Sequence, residues 1–235
     1  MRAGLAVIAA RPTALVRVAC SVESPDEVRD AVARLAVSGI PCDELPNEEL
    51  ERVSDSSHHE GLVVAARPRP WLTPRQLSEL LVTQRGVAIA LDRVKNPYNV
   101  GAILRSAAFF GVDAVLLSAM STGPELARNA VRVAEGGVER VALARTSDLG
   151  DTLSRLREAG VRVVGADGSA ETSAFEHAFP RPTILVMGHE REGLSERIRM
   201  RCDDLVSIPG SGRVDSLNVG VAAGILASEL VRRAH

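Results

Sequence analysis

The feature that most constrains the fold is a series of short segments that are apolar at nearly every position and alternate with helical patterns. A strand that is apolar throughout is buried on both faces, which is typical of a parallel sheet with helices on each side. The strands predicted in this way are residues 87–91, 114–117, 138–143, 161–165, 184–187 and 205–208. Such a series indicates an α/β domain with a mostly parallel sheet.

Helices are predicted between these strands, at residues 100–110, 124–134, 147–159, 195–200 and 217–233. A further helix is predicted from about residue 74 to residue 83, because Thr73 and Gln76 have the spacing of a capping box. Gly111 and Gly160 stand where helices are expected to end. The sequence thus places this larger domain at residues 78–235.

The first 66 residues repeat the alternation on a smaller scale and predict a separate small α/β domain. Strands are expected at residues 5–9, 15–19 and 62–65, with helices that begin near Ser24 and Asn47, both interpreted as capping residues. Residues 67–77 contain three prolines, which favour an extended and semi-rigid linker between the two domains.

Composition narrows the class of protein. The hydrophobic fraction of 46% is ample for a buried core, while no run of eighteen uncharged apolar residues predicts a membrane span. Three widely spaced cysteines and five histidines have neither disulfide nor metal-ligand spacing, so no metal is expected and a reducing cytoplasm is the simplest location. The net charge of −2 does not favour a nucleic-acid partner, although the basic residues are nearly all arginine, which binds phosphate in a bidentate manner.

A glycine-rich turn, Gly210-Ser211-Gly212, lies between the last predicted strand and the last predicted helix. Such a turn leaves free backbone N–H groups at a helix start, as in dinucleotide-binding proteins. Asp215 occupies the third glycine position of that fingerprint, so a nucleotide-dependent oxidoreductase is a distant possibility. Ser216 or Asp215 is expected to cap the last helix, and Asn218 is a poor helix residue unless its amide bonds another group.

Two charged residues in the larger domain also invite a functional interpretation. Arg105 interrupts an otherwise apolar helix opened by Asn99, so it needs an anion from the protein or from a substrate. Glu190 follows Gly188 at the end of a buried strand, where ligands of α/β sheets gather. Both residues also have a purely structural interpretation. Asn99 would then cap the helix, and Glu190 would form a surface ion pair or cap a helix.

Three segments resemble the signature motifs of the SpoU/TrmH family of knotted RNA methyltransferases. Residues 99–107 resemble the first motif, residues 186–195 the second, and residues 208–209 with 215–219 the third. They stand in the family's order and at compatible spacing. The resemblance implies a deep trefoil knot in the second domain, a homodimer with the active site completed near the interface, and 2′-O-methylation of a ribose in rRNA or tRNA with S-adenosyl-L-methionine as cofactor.

The resemblance also implies the roles of single residues. Arg105 would orient the ribose phosphate and help to take the hydroxyl proton. The positions that match the family's catalytic set are Asn99, Arg105, Glu190, Ser216 and Asn218, and those that match its cofactor contacts are Gly188, Ile208 and Leu217. Gly210 and Gly220 depart from the family, which commonly has a larger apolar residue and a serine there.

Residues 1–66 resemble the ribosomal-protein-like RNA-binding domain that precedes the catalytic domain in one subgroup of the family. Glu60 stands where the glutamine of a His-Gln-Gly segment is usual, and the adjacent histidines before it are interpreted as an RNA contact or as a plain loop. The alternative function is a non-catalytic RNA-binding protein that keeps the fold, and the joint presence of the five catalytic-set residues argues against it.

Overall fold

The computed structural model describes residues 2–56, 59–118 and 126–232, and the chain divides into two compact units, residues 1–69 and 70–235. The first unit is built on a three-stranded sheet of order β2-β1-β3. Its elements are α1 (Arg2–Ala10), β1 (Leu15–Ser21), α2 (Asp26–Val37), β2 (Cys42–Leu45), α3 (Asn47–Ser54) and β3 (Leu62–Ala66). The central strand β1 is parallel to β2 and antiparallel to β3.

The core of the first unit lies between this sheet and the helix α2. Val28, Val32 and Leu35 are buried at the spacing of one helical stripe, and they pack in one cluster with Val18 and Cys20 of β1. Ser57 and His58, the first part of the predicted RNA-contacting segment, lie outside the described residues.

Three predictions for the first unit are wrong. Residues 5–9 belong to the helix α1 rather than to a strand, because this alanine-rich segment has high helix propensity and packs Leu5 and Ile8 against the core. Ser24 does not cap α2, since its hydroxyl donates to the carbonyl of Gly61 at 2.8 Å. Asn47 is the first residue of α3, not its cap, and its amide donates to Glu23 at 2.9 Å.

The second unit contains six parallel strands in the order β6-β5-β4-β8-β7-β9. Its elements are α4 (Pro74–Gln84), β4 (Val87–Leu91), α5 (Pro97–Phe110), β5 (Ala114–Ser118), α6 (Arg128–Val133), β6 (Ala142–Thr146), α7 (Leu149–Glu158), β7 (Arg162–Ala166), β8 (Thr183–Met187), α8 (Glu196–Arg199), β9 (Asp204–Val206) and α9 (Val219–Arg232). The prediction of an α/β fold with a parallel sheet is therefore confirmed.

Both faces of this sheet are covered by helices, as the continuously apolar strands predict. Along β4, Val87, Ile89 and Leu91 join the cluster that contains residues of α5 and α9, whereas Ala88 and Ala90 join the cluster of α4, α7 and α8. All five side chains are fully buried. Since successive side chains of a strand point to opposite faces, neither face can be polar.

Local signals at the helix ends are also confirmed. Thr73 and Gln76 form the predicted capping box, with the hydroxyl of Thr73 accepting from the backbone N–H of Gln76. Gly111 ends α5 in the left-handed conformation with φ 78°. The boundary between the units falls inside the stretch predicted as a linker, because Leu72 already pairs with Ala144 of β6.

The predicted strand at residues 138–143 is largely wrong, since β6 begins at Ala142. Val138 and Val141 are buried but follow Gly136, whose φ of 88° starts a short 3₁₀ turn at Gly137–Glu139. Two buried valines in a turn have the same pattern as a strand, so the sequence does not separate them. α6 begins at Arg128 rather than at residue 124, which lies outside the described residues.

No described helix is both long and apolar enough to cross a membrane.

Candidate functional site

The three motif segments meet at the edge of the sheet where the strands end. The helix α5 follows β4, the loop of residues 188–195 follows β8, and residues 207–218 follow β9. Because all six strands are parallel, their carboxyl ends share one edge. This edge is where ligands of open α/β sheets bind.

A hydrogen-bonded chain of three side chains ties the segments together. The amide nitrogen of Asn99 donates to Glu190 Oε1 at 2.6 Å, and the amide oxygen of Asn99 accepts from Asn218 Nδ2 at 3.0 Å. Asn218 Oδ1 in turn accepts from the backbone N–H of Gly220 at 2.9 Å. The carboxylate fixes which way the Asn99 amide points, because only the nitrogen can donate to it. Asn99 of the first motif is therefore hydrogen-bonded to both the second and the third motif.

The caps of α5 and α9 differ from those that the sequence predicts. Asn96 caps α5, with its side chain accepting from Tyr98 N at 2.9 Å and Pro97 in the first helical position. Asn99 is buried inside the first turn, which frees its amide for the network. Asn218, rather than Ser216 or Asp215, accepts from the first N–H groups of α9. The dipeptide Asn-Pro before an apolar helix is the sequence signal that indicates the true start of α5.

The loop after β8 folds back tightly on itself and presents Glu190. His189 and Gly193 exchange two backbone hydrogen bonds of 2.9 Å. A methyl group on Gly188 would lie 2.2 Å from the carbonyl carbon of Gly193, so only glycine fits there. His189 Nδ1 accepts from the N–H of Arg191 at 3.2 Å, so the neutral ring carries its proton on Nε2. Nε2 lies 3.8 Å from Glu190 Oε2.

Two residues that the sequence interpretation did not single out fasten the loop after β4 to the loop after β8. Asp92 is 5% exposed, and its carboxylate accepts from the backbone N–H of Ser195 at 2.8 Å. Arg93 forms an ion pair with Glu192 and donates to the carbonyl of Gly193 at 3.1 Å. Their position directly after a buried strand is the signal that marks them.

Arg105 does not lie with this cluster in its own chain. It is six residues beyond Asn99, which places it about 9 Å along α5 and about 120° around it. Its guanidinium is half exposed and forms an ion pair of 2.9 Å with Glu135. The anion that the Arg105 guanidinium needs is thus supplied in part by Glu135 of the same chain.

Of the predicted cofactor contacts, Ile208 and Leu217 lie in the third motif and Gly188 lies in the second. Ile208 packs partly buried against the core, Leu217 is 43% exposed, and Gly188 is buried beneath the loop after β8. Residues 208–212 form no backbone–backbone hydrogen bond with any described residue, and residues 209–212 are exposed. Ser216 is exposed, and its side chain forms no hydrogen bond within the described ranges.

A groove of about 630 Å³ runs between α5 and α9, next to Asn218. Its walls include Ala102, Ser106, Gly224 and Ile225. Large apolar side chains on the same two helices are exposed, since Tyr98 is 59%, Phe109 82% and Val221 53% exposed. Within the described ranges no group of three or more histidine, cysteine, aspartate or glutamate side chains is arranged to hold a metal ion.

The sequence matches a known family and curated relatives. The model of the SpoU rRNA methylase family matches residues 86–228, which is more than half of the chain. A protein of Mycobacterium ulcerans (strain Agy99), named an uncharacterized tRNA/rRNA methyltransferase, is 35% identical over 223 residues, which cover 94% of this chain and 72% of the relative.

Solved structures of similar fold cover most of the chain. The structure of an AdoMet-bound rRNA methyltransferase from Sinorhizobium meliloti is 26% identical with a TM-score of 0.78, and the match covers 97% of this chain and 84% of that one. A structure described as giving insight into the 2-OH methylation of C/U34 on tRNA is 28% identical with a TM-score of 0.55, over 64% of this chain and 97% of that one.

Proposed function

This chain belongs to the SpoU rRNA methylase family, and on that premise we propose that it transfers a methyl group from S-adenosyl-L-methionine to the 2′-hydroxyl of a ribose in rRNA or tRNA. The observation that carries the proposal is the network of Asn99, Glu190 and Asn218, because it joins three motifs from distant parts of the chain at one edge of the sheet. The similarity to a structure described for 2-OH methylation of tRNA favours the ribose over a base.

The residues around the third motif fit the cofactor. A structural neighbour is an AdoMet-bound rRNA methyltransferase, and here residues 208–212 form no backbone–backbone hydrogen bond with any described residue, so their backbone groups are available to the polar parts of such a ligand. We assign Gly188, Ile208 and Leu217 to the cofactor site. When bound, S-adenosyl-L-methionine supplies a methyl group on a sulfonium, which the 2′-oxygen attacks.

The chain's own residues hold the reactants in place, and positioning of this kind supplies much of the acceleration in group transfer. Asn99 and Asn218 fix the loops, and Glu190 is held at their junction. Ser216 stands exposed beside them and is available to the RNA. Arg105 binds the phosphate next to the ribose. Because arginine stays protonated, we infer that the phosphate shares the hydroxyl proton with it.

We also propose a homodimer that pairs through the groove between α5 and α9. The exposed Tyr98, Phe109 and Val221 supply the apolar surface that such an interface buries. Arg105 is remote from Asn99 within one chain, so the partner subunit's Arg105 would complete each site. A twofold interface makes both sites equivalent, because each subunit gives to the other what it receives.

The trefoil knot and the role of the first unit belong to the same proposal. After the edge strand β9 the chain returns to pack α9 against α5 and against the central strands β4 and β8, and on the way the N–H of Ser207 bonds to the carbonyl of Thr172. We infer that this return passes through a loop of the chain and forms the knot. Residues 1–66 would bind the RNA, residues 67–77 would join the two parts, and residues 78–235 would carry the catalytic domain.

Calorimetry with S-adenosyl-L-methionine tests the cofactor site first. Wild-type protein is expected to bind saturably, and Leu217→Arg is expected to abolish binding, because the larger charged side chain enters the cofactor site. Met200→Arg is the matched control, since Met200 is 68% exposed on the same unit and lies outside the three motifs. No binding by the wild type at millimolar cofactor, with and without RNA, would favour a non-catalytic RNA-binding protein.

The position of the methyl group is tested on the product RNA. Methylation of a 2′-hydroxyl makes the adjacent phosphodiester resistant to alkali, because that hydroxyl is the nucleophile of alkaline cleavage. We expect one resistant site after incubation of unmodified rRNA and tRNA with the protein and cofactor. Incorporation of a labelled methyl group with no resistant site would show a methylated base and contradict the proposal.

A further inference from the structure

A second cavity lies at the opposite edge of the sheet, where β7 and β8 begin. Its volume is about 660 Å³, and it is enclosed by the end of α7 and by residues 180–182. Arg157, Arg162 and Arg181 line it, together with Asp203 and Glu158. None of the three motifs contributes to this cavity, so its arginines are unused by the proposed methyl transfer.

Two of the arginines are held in the cavity wall by carboxylates. Arg157 Nε donates to Asp203 at 2.8 Å, and the other oxygen of Asp203 accepts from the N–H of Val163 at 2.9 Å. Arg162 binds Asp204 through two hydrogen bonds of 2.7 and 2.8 Å. These pairs fix the guanidinium groups, and each retains further N–H donors for another ligand.

Arg181 is different because no carboxylate neutralises it. Its Nε is sealed from solvent and has no hydrogen-bond partner, and its guanidinium forms no ion pair with a described residue. Arg93 and Arg201 also have a sealed Nε without a hydrogen-bond partner, but each donates through another guanidinium nitrogen, and Arg93 Nε lies 3.6 Å from Asp92. A guanidinium without a counterion keeps its other N–H donors for a ligand, so Arg181 is the group in this cavity best placed to bind an anion.

A fourth guanidinium lies at the same edge. Arg85 Nη2 donates to the backbone carbonyl of Arg181 at 3.2 Å, which brings its positive charge close to the cavity. The carboxylates of Asp203 and Asp204 are occupied by their own arginines, and Glu158 is exposed at the rim. Glu158 lines the cavity too, but the positive charges of Arg181 and Arg85 outnumber it, so the charge left at the cavity is positive.

We propose that the cavity of Arg157, Arg162 and Arg181 is a phosphate-binding site that takes a backbone phosphate of the RNA away from the modified nucleotide. The planar guanidinium matches a phosphate group through paired N–H donors. A strand of five residues spans about 16 Å, so this phosphate is distinct from the one beside the modified ribose. The assignment of the phosphate to RNA rests on the proposed function, whereas binding of the oxyanion itself does not.

The oxyanion is tested with inorganic phosphate and the whole chain of 235 residues. The Nε–H resonance of Arg181, identified by its loss in Arg181→Gln, is expected to shift saturably as phosphate is added at constant ionic strength. Glu158→Gln is expected to strengthen this binding several-fold, because it removes the opposing carboxylate at the rim. An unchanged resonance up to high phosphate concentration, in both the wild type and Glu158→Gln, would overturn the site.

The source of the phosphate is tested with bulk tRNA and bulk rRNA. Loss of one phosphate contact is expected to weaken RNA binding about tenfold and to reduce the slope of log affinity against log salt by about one. We expect this of Arg181→Gln, while Arg181→Lys keeps the slope because it keeps the charge. Arg75→Gln is the matched control, since the side chain of Arg75 is 89% exposed on α4.

Calorimetry with S-adenosyl-L-methionine separates the two proposals. Unchanged cofactor binding by Arg181→Gln shows that the variant is folded and that a weaker affinity for RNA belongs to this cavity. A phosphate-dependent shift with no change in the salt slope would overturn the RNA assignment and leave a site for free phosphate. A wild type that binds neither RNA nor cofactor, yet shifts with phosphate, would refute the proposed function and not the oxyanion site.

Discussion

At the scale of single residues, Asn99 shows why an amide is needed at the junction of the motifs. It must donate to a carboxylate and accept from an amide at once, and the amide side chain does this through its nitrogen and its oxygen. A buried amide that uses both ends also fixes the relative positions of the groups that it joins. The distance between Glu190 and the third motif is therefore set by one side chain.

We expect Asn99→Asp to reduce the free energy of unfolding by about 2–3 kcal/mol, because it places a second carboxylate against Glu190 and removes the donor. Methyl transfer to RNA is expected to fall more than tenfold. Asn96→Asp is the matched control, since aspartate is as good a helix cap and favours the positive end of the helix dipole. Urea denaturation of both variants makes the comparison, and an equal effect of the two substitutions would contradict a special role for Asn99.

The sequence predicts the residues of the network, and the family resemblance implies that Glu190 helps to hold the first motif or the substrate region, but the individual hydrogen bonds are not predicted. Asparagine is a common helix cap, so the sequence favours that role for Asn99. In the structure Asn96 is the cap of α5, and Asn99 is buried in the first turn. Arg105 was predicted to need an anion, and the structure supplies Glu135 from a turn thirty residues further along the chain. Contacts of this kind depend on how elements pack, which local patterns do not encode.

At the scale of elements, the close approach of α5 and α6 depends on Gly101. A methyl group there would lie 2.6 Å from the carbonyl oxygen of Ala130 and 2.7 Å from Val133 Cβ. We expect Gly101→Ala to reduce the free energy of unfolding by about 1–2 kcal/mol, because overpacking outweighs the gain in helix propensity. Gly168→Ala is the control, since a methyl group at Gly168 meets no atom within 4 Å. A Gly101→Ala protein that melts at or above the wild-type temperature would show that α6 moves aside freely.

The edge strand β9 is held to β7 by a charged pair that depends on pH. The hydrogen bond from Arg162 lowers the pKa of Asp204 below its ordinary value, and the contact with His177 lowers it further. A depressed carboxyl pKa stabilises the fold above the pKa of the unfolded chain, and this stabilisation is lost as the pH falls through the folded pKa. Asp204→Asn removes the group that titrates.

We therefore expect the wild type to lose more free energy of unfolding than Asp204→Asn between pH of about 6 and about 3, a range that begins above the ordinary pKa of an aspartate. Urea denaturation at the two pH values measures this difference. Asp151→Asn is a suitable control, because Asp151 is exposed on α7 and forms an ion pair with Arg155 on the same helix. An equal loss of stability in the wild type and in Asp204→Asn would contradict the assignment.

Elements with one strong local signal were predicted closely, and those with competing signals were not. Residues 87–91 are apolar throughout and correspond to β4 at both ends. Residues 5–9 are also apolar, but their alanines allow a helix, and the packing of Leu5 and Ile8 against the core decides between the two. Tertiary contacts override local preference where the preference is weak.

At the scale of the whole molecule, the slightly negative net charge says little about binding to RNA, because binding depends on the local electrostatic potential of the contact surface. At least half of the described arginines of the second unit are paired with carboxylates, as Arg157, Arg162 and Arg197 are. Affinity for RNA would then come from guanidinium groups without such a partner, such as Arg181. Each phosphate contact that these groups make adds to the dependence of the affinity on salt.

Mixing of inactive variants tests whether each site is shared between two subunits. Arg105→Ala and Asn218→Ala are each expected to be inactive, and their heterodimer holds one site with both residues intact if Arg105 acts across the interface. Random pairing makes half of the dimers mixed, and each mixed dimer has one working site of two, so activity is expected to recover to about a quarter of the wild type.

The same mixture stays inactive if Arg105 acts within its own chain, because every site then lacks one of the two residues. Val221→Glu provides the matching control, since it places a charge on the exposed face of α9 and is expected to leave a folded monomer that binds cofactor without methyl transfer. Size-exclusion chromatography of this variant measures the association state. Recovery of activity in the mixture, together with an inactive Val221→Glu monomer, requires a site built from two chains, since no single chain then holds all of its working residues.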